Sequence, residues 1–167
     1  EVTVIAAALP PQRLIHTKWF YSDCLSDYYG VPVFGEEYWR ITRNFIAAAV
    51  KRGINMILTP IHTPPLDTRV GGERTTVQLV EITRRGDSYS FCFDKLERWV
   101  KMCRECGVEY FEMAHLFTQW GARFTPKIMA WEDGELKRIF GWDVAVGESY
   151  GAFLAQYLPA LTGELRR

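Results

Sequence analysis

Residues 108–128, VEYFEMAHLFTQWGARFTPKI, begin with the side-chain alternation of a strand and continue as a loop with Gly121 and Pro126. The pattern predicts a core strand that ends near residue 113 and carries a cluster of polar and aromatic side chains at its end. These side chains are Glu112, His115, Gln119, Trp120 and Lys127.

Two interpretations fit this cluster. A flat aromatic ring beside hydrogen-bonding groups suits a sugar, which has polar edges and apolar C–H faces. Alternatively, Glu112 is a surface charge and Trp120 fills a small satellite core. We favour the binding site, because loops on a rigid scaffold often carry function.

Upstream, strand and helix patterns alternate. Residues 1–9 and 13–21 have the composition of strands, and the apolar run 54–61 is typical of a strand buried on both faces of a parallel sheet. A hairpin is predicted for VQLVEIT (77–83) and SYSFCF (88–93), whose Tyr89, Phe91 and Phe93 would share a face.

Apolar periodicity predicts three helices, over residues 36–52, 94–106 and 148–165. Asp94 and Glu97 resemble a capping box at the start of the second helix. The segment after Tyr21 is predicted to be a loop, and residues 129–146 are predicted to be irregular.

This order predicts an α/β fold of parallel βαβ units, with the polar candidates at the carboxyl ends of the strands. About three units are present, whereas a complete (β/α)8 barrel needs about 250 residues. We therefore expect the N-terminal part of a TIM-type barrel with an inserted β-hairpin. Its exposed strand edges would favour association between copies.

Residues 1–12 would end a preceding β-domain or form a linker, and 13–167 would be the incomplete barrel domain.

The net charge of the chain is 0 at pH 7, which gives no electrostatic steering toward nucleic acid or an anionic membrane. No apolar run approaches a membrane span. The sequence does not assign the protein to a cellular compartment. A G-x-G-x-x-G motif is absent after the first strand, which weighs against a dinucleotide fold.

The four cysteines include a C-x-x-C pair, Cys103 and Cys106, near the end of a predicted helix. Such a pair can bind metal or do redox chemistry, but a second C-x-x-C is missing from the sequence. Because Cys103 continues the apolar stripe of its helix, plain structural thiols are the favoured interpretation, and no metal or other cofactor is expected.

Three long segments resemble the catalytic region of glycoside hydrolase family 123, especially its uncharacterised bacterial branch of unknown function. They are HTKWFYSDCLSDYYGVPVF (16–34), NMILTPIHTPPLDTRVGGERTTVQLV (55–80) and YFEMAHLFTQWGARFTPKI (110–128). FGWD (140–143) and YLPAL (157–161) are also similar. The resemblance extends over nearly all of residues 13–167.

The resemblance implies a (β/α)8 barrel preceded by a β-sandwich, and a carbohydrate substrate that contains N-acetylhexosamine. It implies retaining hydrolysis of β-linked N-acetylgalactosamine, in which the 2-acetamido oxygen attacks the anomeric carbon and an adjacent Asp-Glu pair assists. Such enzymes differ from the retaining glycosidases that use a nucleophilic carboxylate. No cofactor is implied.

One departure from the family matters: the sequence contains no Asp-Glu dipeptide. The catalytic pair is therefore expected beyond Arg167, and this chain alone is expected to be inactive. The residues that the resemblance and the strand ends assign to sugar binding are His16, Trp19, Asp23, Asp67, Glu112, His115, Gln119 and Trp120.

Two alternatives stay open. The chain could be a non-catalytic carbohydrate-binding or scaffold protein with a barrel-derived fold. It could also hold a weaker acid–base site made from Glu112 and Asp67, although the sequence does not fix the distance between these carboxylates.

Overall fold

The computed structural model describes residues 2–8, 10, 13–65, 69 and 71–167. In this part of the chain, no helix is long and apolar enough to cross a membrane. The helices are α1 (Asp23–Tyr29), α2 (Glu36–Val50), α3 (Asp94–Glu105) and α4 (Glu148–Leu165). The strands are β1 (Thr17–Lys18), β2 (Met56–Thr59), β3 (Glu81–Arg85), β4 (Ser88–Cys92), β5 (Tyr110–Met113), β6 (Ile128–Glu132) and β7 (Glu135–Phe140).

A three-stranded parallel sheet, in the order β1-β2-β5, forms the first half of the core. Met56 of β2 pairs with Thr17 on one side and with Tyr110 on the other. Helices α1 and α2 lie in the chain between β1 and β2, and α3 lies between β2 and β5. This arrangement confirms the predicted α/β class with parallel strands.

The two faces of the parallel sheet differ in their surroundings. Ile57, Phe111 and Met113 pack into or against the main hydrophobic core, which also contains residues of α2 and α3. Leu58 and Glu112 are register partners and project to the opposite face, because successive side chains alternate along a strand. Glu112 therefore lies on the sheet face away from the helices.

A second sheet, in the order β4-β3-β6-β7, is built from two hairpins. The predicted hairpin is confirmed as β3 and β4. The second hairpin, β6 and β7, corrects the prediction that residues 129–146 are irregular. Its turn contains Asp133 at φ 53° and Gly134 at φ 83°. Two successive positive φ angles are what a tight two-residue hairpin turn requires, and Asp-Gly is a common sequence for it.

Helix α4 joins the second sheet through an aromatic cluster, and its predicted range is confirmed. Phe153 is fully buried. Its ring centroid lies 5.1 Å from those of Tyr89 and Tyr157 and 5.3 Å from that of Phe140. The members of the aromatic cluster are Tyr89, Phe91, Phe140, Tyr150, Phe153 and Tyr157.

The N-terminal predictions are partly wrong. Residues 2–8 are exposed and form no strand, and only Thr17–Lys18 of the predicted strand 13–21 is paired. The segment after Tyr21 is not a loop but contains α1, which ends at Gly30 with a left-handed φ of 63°. Strand-like composition alone does not form a strand, because the backbone groups need a neighbouring strand.

The capping-box prediction at α3 is also wrong. The N-cap position is Phe93, no side-chain hydrogen bond caps the helix, and Asp94 is already inside the first turn. Asp94 and Glu97 still favour the helix, since negative charge in the first turn complements the helix dipole.

Candidate functional site

Glu112 is the organising residue of a polar group at the open face of the parallel sheet. Its Oε2 accepts a hydrogen bond of 2.9 Å from the Thr17 hydroxyl, and its Oε1 accepts one of 3.1 Å from Trp19 Nε1. The donors lie on or next to β1, while Glu112 lies on β5. The carboxylate therefore has a fixed position, although its side chain keeps 23% exposure.

His115 completes this group. Its Nε2 lies 3.9 Å from Glu112 Oε1, and its ring packs edge-on against Trp19 with centroids 5.5 Å apart. Trp19 itself is 47% exposed. Thr17, Trp19, Glu112 and His115 are called the strand-end cluster below. It combines a fixed acceptor, an imidazole and an accessible indole.

His62, three residues after the end of β2, is a buried neighbour of this cluster. Its Nδ1 lies 3.3 Å from the Thr63 carbonyl oxygen, whereas its buried Nε2 has no hydrogen-bond partner among the described residues. Burial, with a smaller effect from His115, lowers the pKa of His62 to about 4. His62 is therefore neutral at pH 7.

Asp23 is buried in the first turn of α1 and pairs with Arg74. Arg74 Nε lies 2.7 Å from Asp23 Oδ2, and Nη2 lies 3.1 Å from Oδ1. The Asp23 side chain is 4% exposed, and the Arg74 side chain is 15% exposed. A bidentate ion pair fixes both the orientation and the position of a guanidinium. Asp23 therefore holds the Arg74 side chain in place.

Arg74 lines a narrow cleft at the ends of β2 and β5. Tryptophans contribute to its wall from two different loops, Trp120 after β5 and Trp142 after β7. This space is called the tryptophan cleft below. Its residues are Thr63, Pro64, Pro65, Gly72, Glu73, Arg74, Thr118, Trp120, Thr125, Pro126, Lys127 and Trp142.

Tyr21 connects the strand-end cluster to the tryptophan cleft. It lies beside Thr17, Trp19 and Glu112 on a shallow, open surface. The guanidinium carbon of Arg74 lies 4.3 Å from the centroid of the Tyr21 ring. One cation–π contact therefore separates the two regions.

The remaining predicted residues lie in varied places. His16 has an exposed side chain, and its backbone amide donates to Asn55 Oδ1. Gln119 is exposed on the loop that carries Trp120. Asp67 lies outside the described residues, so the suggested acid–base pair of Asp67 and Glu112 does too. Thus Trp19, Glu112 and His115 come together, whereas Trp120 lines the neighbouring cleft and Asp23 pairs with Arg74 of that cleft.

The cysteines are free thiols, and Cys103 is buried in the core. Burial raises the pKa of Cys103, and it also raises that of Cys106. Both shifts favour the protonated thiol, which is a poor nucleophile. The described residues contain no cluster of three or more His, Cys, Asp or Glu that could hold a metal ion.

Sequence reasoning missed Thr17, Tyr21, Arg74 and Trp142. A signal existed for Trp142, since it lies in the FGWD segment whose family resemblance was already noted. No local signal marked Thr17 or Arg74, because their partners are 95 and 51 residues away in the chain.

Comparison with known proteins identifies the family of the chain. The family model described as Glycoside hydrolase 123, catalytic domain, matches residues 19–167, which include the strand-end cluster except Thr17 and the whole tryptophan cleft. No curated protein matches the chain.

Proposed function

The chain belongs to the glycoside hydrolase 123 catalytic-domain family, and from this premise we propose that it forms the sugar-binding wall of a retaining β-N-acetylgalactosaminidase. The family itself implies hydrolysis of a carbohydrate substrate. The observation that carries the finer proposal is the Glu112 carboxylate, which Thr17 and Trp19 hold at the open sheet face beside His115.

The proposed role of the strand-end cluster is to bind and orient the sugar. A carboxylate has about four acceptor positions, so Glu112 retains acceptor capacity for a sugar hydroxyl beside its two protein donors. The exposed Trp19 offers an apolar surface to the C–H face of a pyranose. His115, 39% exposed, offers a further hydrogen-bonding group.

The proposed reaction is substrate-assisted. The 2-acetamido oxygen forms a bond to the anomeric carbon while the glycosidic bond breaks, and a Glu gives its proton to the leaving oxygen. An adjacent Asp stabilises the oxazolinium-like intermediate. Water then attacks the anomeric carbon, passes a proton to the Glu carboxylate and releases the acetamido oxygen. Two inversions give net retention.

We further propose that this chain is part of a (β/α)8 barrel and that the Asp-Glu pair lies outside residues 1–167, since the sequence has no such dipeptide. Two observations support the barrel. The parallel strands neighbour one another in chain order, and the sheet face opposite the core residues of α2 and α3 carries the polar cluster. A barrel interior is such a face, with its active site at the carboxyl ends of the strands.

The test is hydrolysis of an aryl N-acetyl-β-galactosaminide by this chain and by a longer product of the same gene that includes the Asp-Glu segment. We expect activity only in the longer form. A matched aryl β-galactoside, which lacks the acetamido group, should not be hydrolysed. In the longer form, Glu112→Gln should lower kcat/KM, while Glu109→Gln, an exposed carboxylate on the same segment, should not.

Activity of the short chain would disprove the proposal about the catalytic pair. Equal hydrolysis of the β-galactoside would disprove substrate assistance.

The second candidate function is a non-catalytic carbohydrate-binding protein. The absence of an Asp-Glu dipeptide from residues 1–167 supports this function only if the natural gene ends near Arg167. Sugar binding without hydrolysis in both the short and the long form would select this alternative.

A further inference from the structure

We propose that His62 is a positioning residue that holds the proton of His115 on Nδ1, so that His115 Nε2 and the Glu112 carboxylate present two hydrogen-bond acceptors to the hydroxyl groups of a sugar. This inference rests on the proposed function, because it takes the strand-end cluster as the place where the sugar binds. It adds a reason why that surface selects a ligand with two hydroxyl donors.

His62 and His115 follow neighbouring strands of the parallel sheet. Thr59 of β2 is the register partner of Met113 of β5, and the Ala114 amide donates to the Thr59 carbonyl at 3.0 Å. His62 lies three residues after Thr59, and His115 lies two residues after Met113. The two imidazoles are close enough for a positive charge on His115 to contribute to the lowered pKa of His62.

The tautomer of His62 follows from its contacts. Its side chain is buried and neutral at pH 7, so only one of its ring nitrogens carries a proton. Nδ1 lies 3.3 Å from the Thr63 carbonyl oxygen, which can only accept, so Nδ1 is the protonated nitrogen. Nε2 is therefore an acceptor inside the protein, and no donor among the described residues bonds to it. A buried acceptor without a donor is unfavourable.

His115 has a nitrogen that complements it. Its Nδ1 is buried and has no hydrogen-bond partner in the described part of the chain, although 39% of the side chain is exposed. A proton on this nitrogen can be donated to His62 Nε2, directly or through one water molecule. That link satisfies both buried nitrogens, whereas a proton on His115 Nε2 would leave two buried acceptors facing each other. Burial therefore favours the proton on Nδ1 of His115.

The distance between His115 and Glu112 agrees with this tautomer. His115 Nε2 lies 3.9 Å from Glu112 Oε1, which is beyond the length of about 2.7–3.2 Å that is normal for an N–H···O hydrogen bond. A nitrogen lone pair and a carboxylate oxygen are both acceptors, so they do not bond to each other. Both atoms are left for an external donor. Two hydroxyl groups on adjacent carbons of a sugar can each donate to one of them.

The charged and titratable groups around His115 come from three strands. Glu112 lies on β5, and His62 follows β2. Tyr21, after β1, adds an uncharged phenol to the same surface. Lys18 of β1 projects to the opposite face of the sheet, because its register partner belongs to the hydrophobic core. When His115 gains a second proton, Nε2–H can donate to Glu112, and the pair of acceptors is lost. Sugar affinity should therefore fall as the pH is lowered.

The first test is the long-range ¹H–¹⁵N NMR spectrum of this chain, since the shifts of the ring nitrogens distinguish the two neutral tautomers. The chain has three histidines, so His16→Gln assigns the signals of the exposed one by elimination. We expect the proton of His115 on Nδ1 in the wild type and on Nε2 in His62→Leu, which has no acceptor. His62→Gln places an amide oxygen near the original Nε2 and should restore the proton on Nδ1.

The second test is the affinity for methyl N-acetyl-β-galactosaminide, measured by calorimetry with this chain at several pH values. The wild-type affinity should fall as the same NMR spectra show His115 gaining its second proton. At neutral pH, His62→Leu should bind about tenfold more weakly than the wild type, which corresponds to about 1.4 kcal/mol. His62→Gln should stay close to the wild type.

The matched control is Trp99→Phe. Trp99 Nε1 is another buried nitrogen without a hydrogen-bond partner in the described part of the chain, but it belongs to α3 and the hydrophobic core. Its removal should leave the His115 tautomer and the sugar affinity unchanged. Thermal unfolding shows whether each variant folds, and the wild-type tautomer and pH profile need no variant.

A wild-type His115 with its proton on Nε2 would overturn the inference but leave the proposed function intact. An unchanged His115 tautomer in His62→Leu would overturn the role of His62. A changed tautomer with unchanged sugar affinity would overturn the pair of acceptors. Absence of sugar binding by the wild type at every pH would contradict the proposed function, and the spectrum would still decide whether His62 sets the tautomer.

Discussion

The aromatic cluster and the strand-end cluster both contain aromatic rings, yet they differ in burial and in hydrogen bonding. Phe153 in the aromatic cluster is 0% exposed and is surrounded by rings. Trp19 in the strand-end cluster is 47% exposed, and its ring nitrogen donates to a carboxylate. The first arrangement contributes mainly stability, and the second holds polar atoms in place at an accessible surface.

The two clusters are nevertheless connected. From α4, the Tyr150 hydroxyl donates to the Leu116 carbonyl at 2.6 Å, and the Tyr157 hydroxyl donates to the Ile61 carbonyl at 3.3 Å. Leu116 follows His115, and Ile61 precedes His62. The aromatic cluster thus contacts, through these two hydroxyls, the loops from which the site is built.

The largest effect is expected for Phe153→Ala. Removing this ring leaves a cavity among several aromatic neighbours, which should lower the free energy of unfolding by about 3–5 kcal/mol. Chemical denaturation measures the change. Phe45→Ala, on the exposed side of α2 at 44% exposure, is the control and should cost much less. Similar losses at the two positions would contradict the assignment of stability to the aromatic cluster.

An intermediate effect is expected from the buried His62. Its pKa is about 4 in the folded protein, against an ordinary value of 6.5, so the unfolded chain binds the extra proton between these pH values. Stability should therefore fall as pH falls from 6.5 to 4, by at most about 3 kcal/mol from this group.

The measurement for His62 is the free energy of unfolding against pH, for the wild type and for His62→Gln. The variant has no imidazole, so its curve should fall less steeply between pH 6.5 and 4, while carboxylate titrations affect both proteins alike. Parallel curves would show that His62 is not held neutral by burial.

The smallest effect on stability is expected for Trp19→Ala. An exposed indole with one hydrogen bond to a carboxylate should contribute about 1 kcal/mol or less to unfolding. Sugar affinity should fall clearly, because the variant loses both an apolar surface and a donor that positions Glu112. A large drop in melting temperature with unchanged sugar affinity would place Trp19 with the structural aromatics instead.

Local patterns predicted much of the fold. The helix of residues 148–165 was predicted at its observed bounds, and the apolar run 54–61 indicated a parallel strand, which is β2, paired in parallel with β1 and β5. The β6–β7 hairpin could also have been predicted from the sequence, because the dipeptide Asp133-Gly134 favours the tight turn that joins these two strands. By contrast, the apolar residues 2–8 showed that composition without a pairing partner gives no strand.

The sequence by itself determined the α/β class, most helices and strands, and the placement of Glu112, His115 and Trp120 at the end of one strand, because these follow from side-chain periodicity over a few residues. Only the tertiary structure decided that Thr17 and Trp19 hold Glu112, that Asp23 orients Arg74, and that Trp142 faces the same cleft as Trp120. Such contacts join residues far apart in the chain, and their geometry is set by how sheets and loops pack. Local sequence patterns therefore do not predict these long-range contacts.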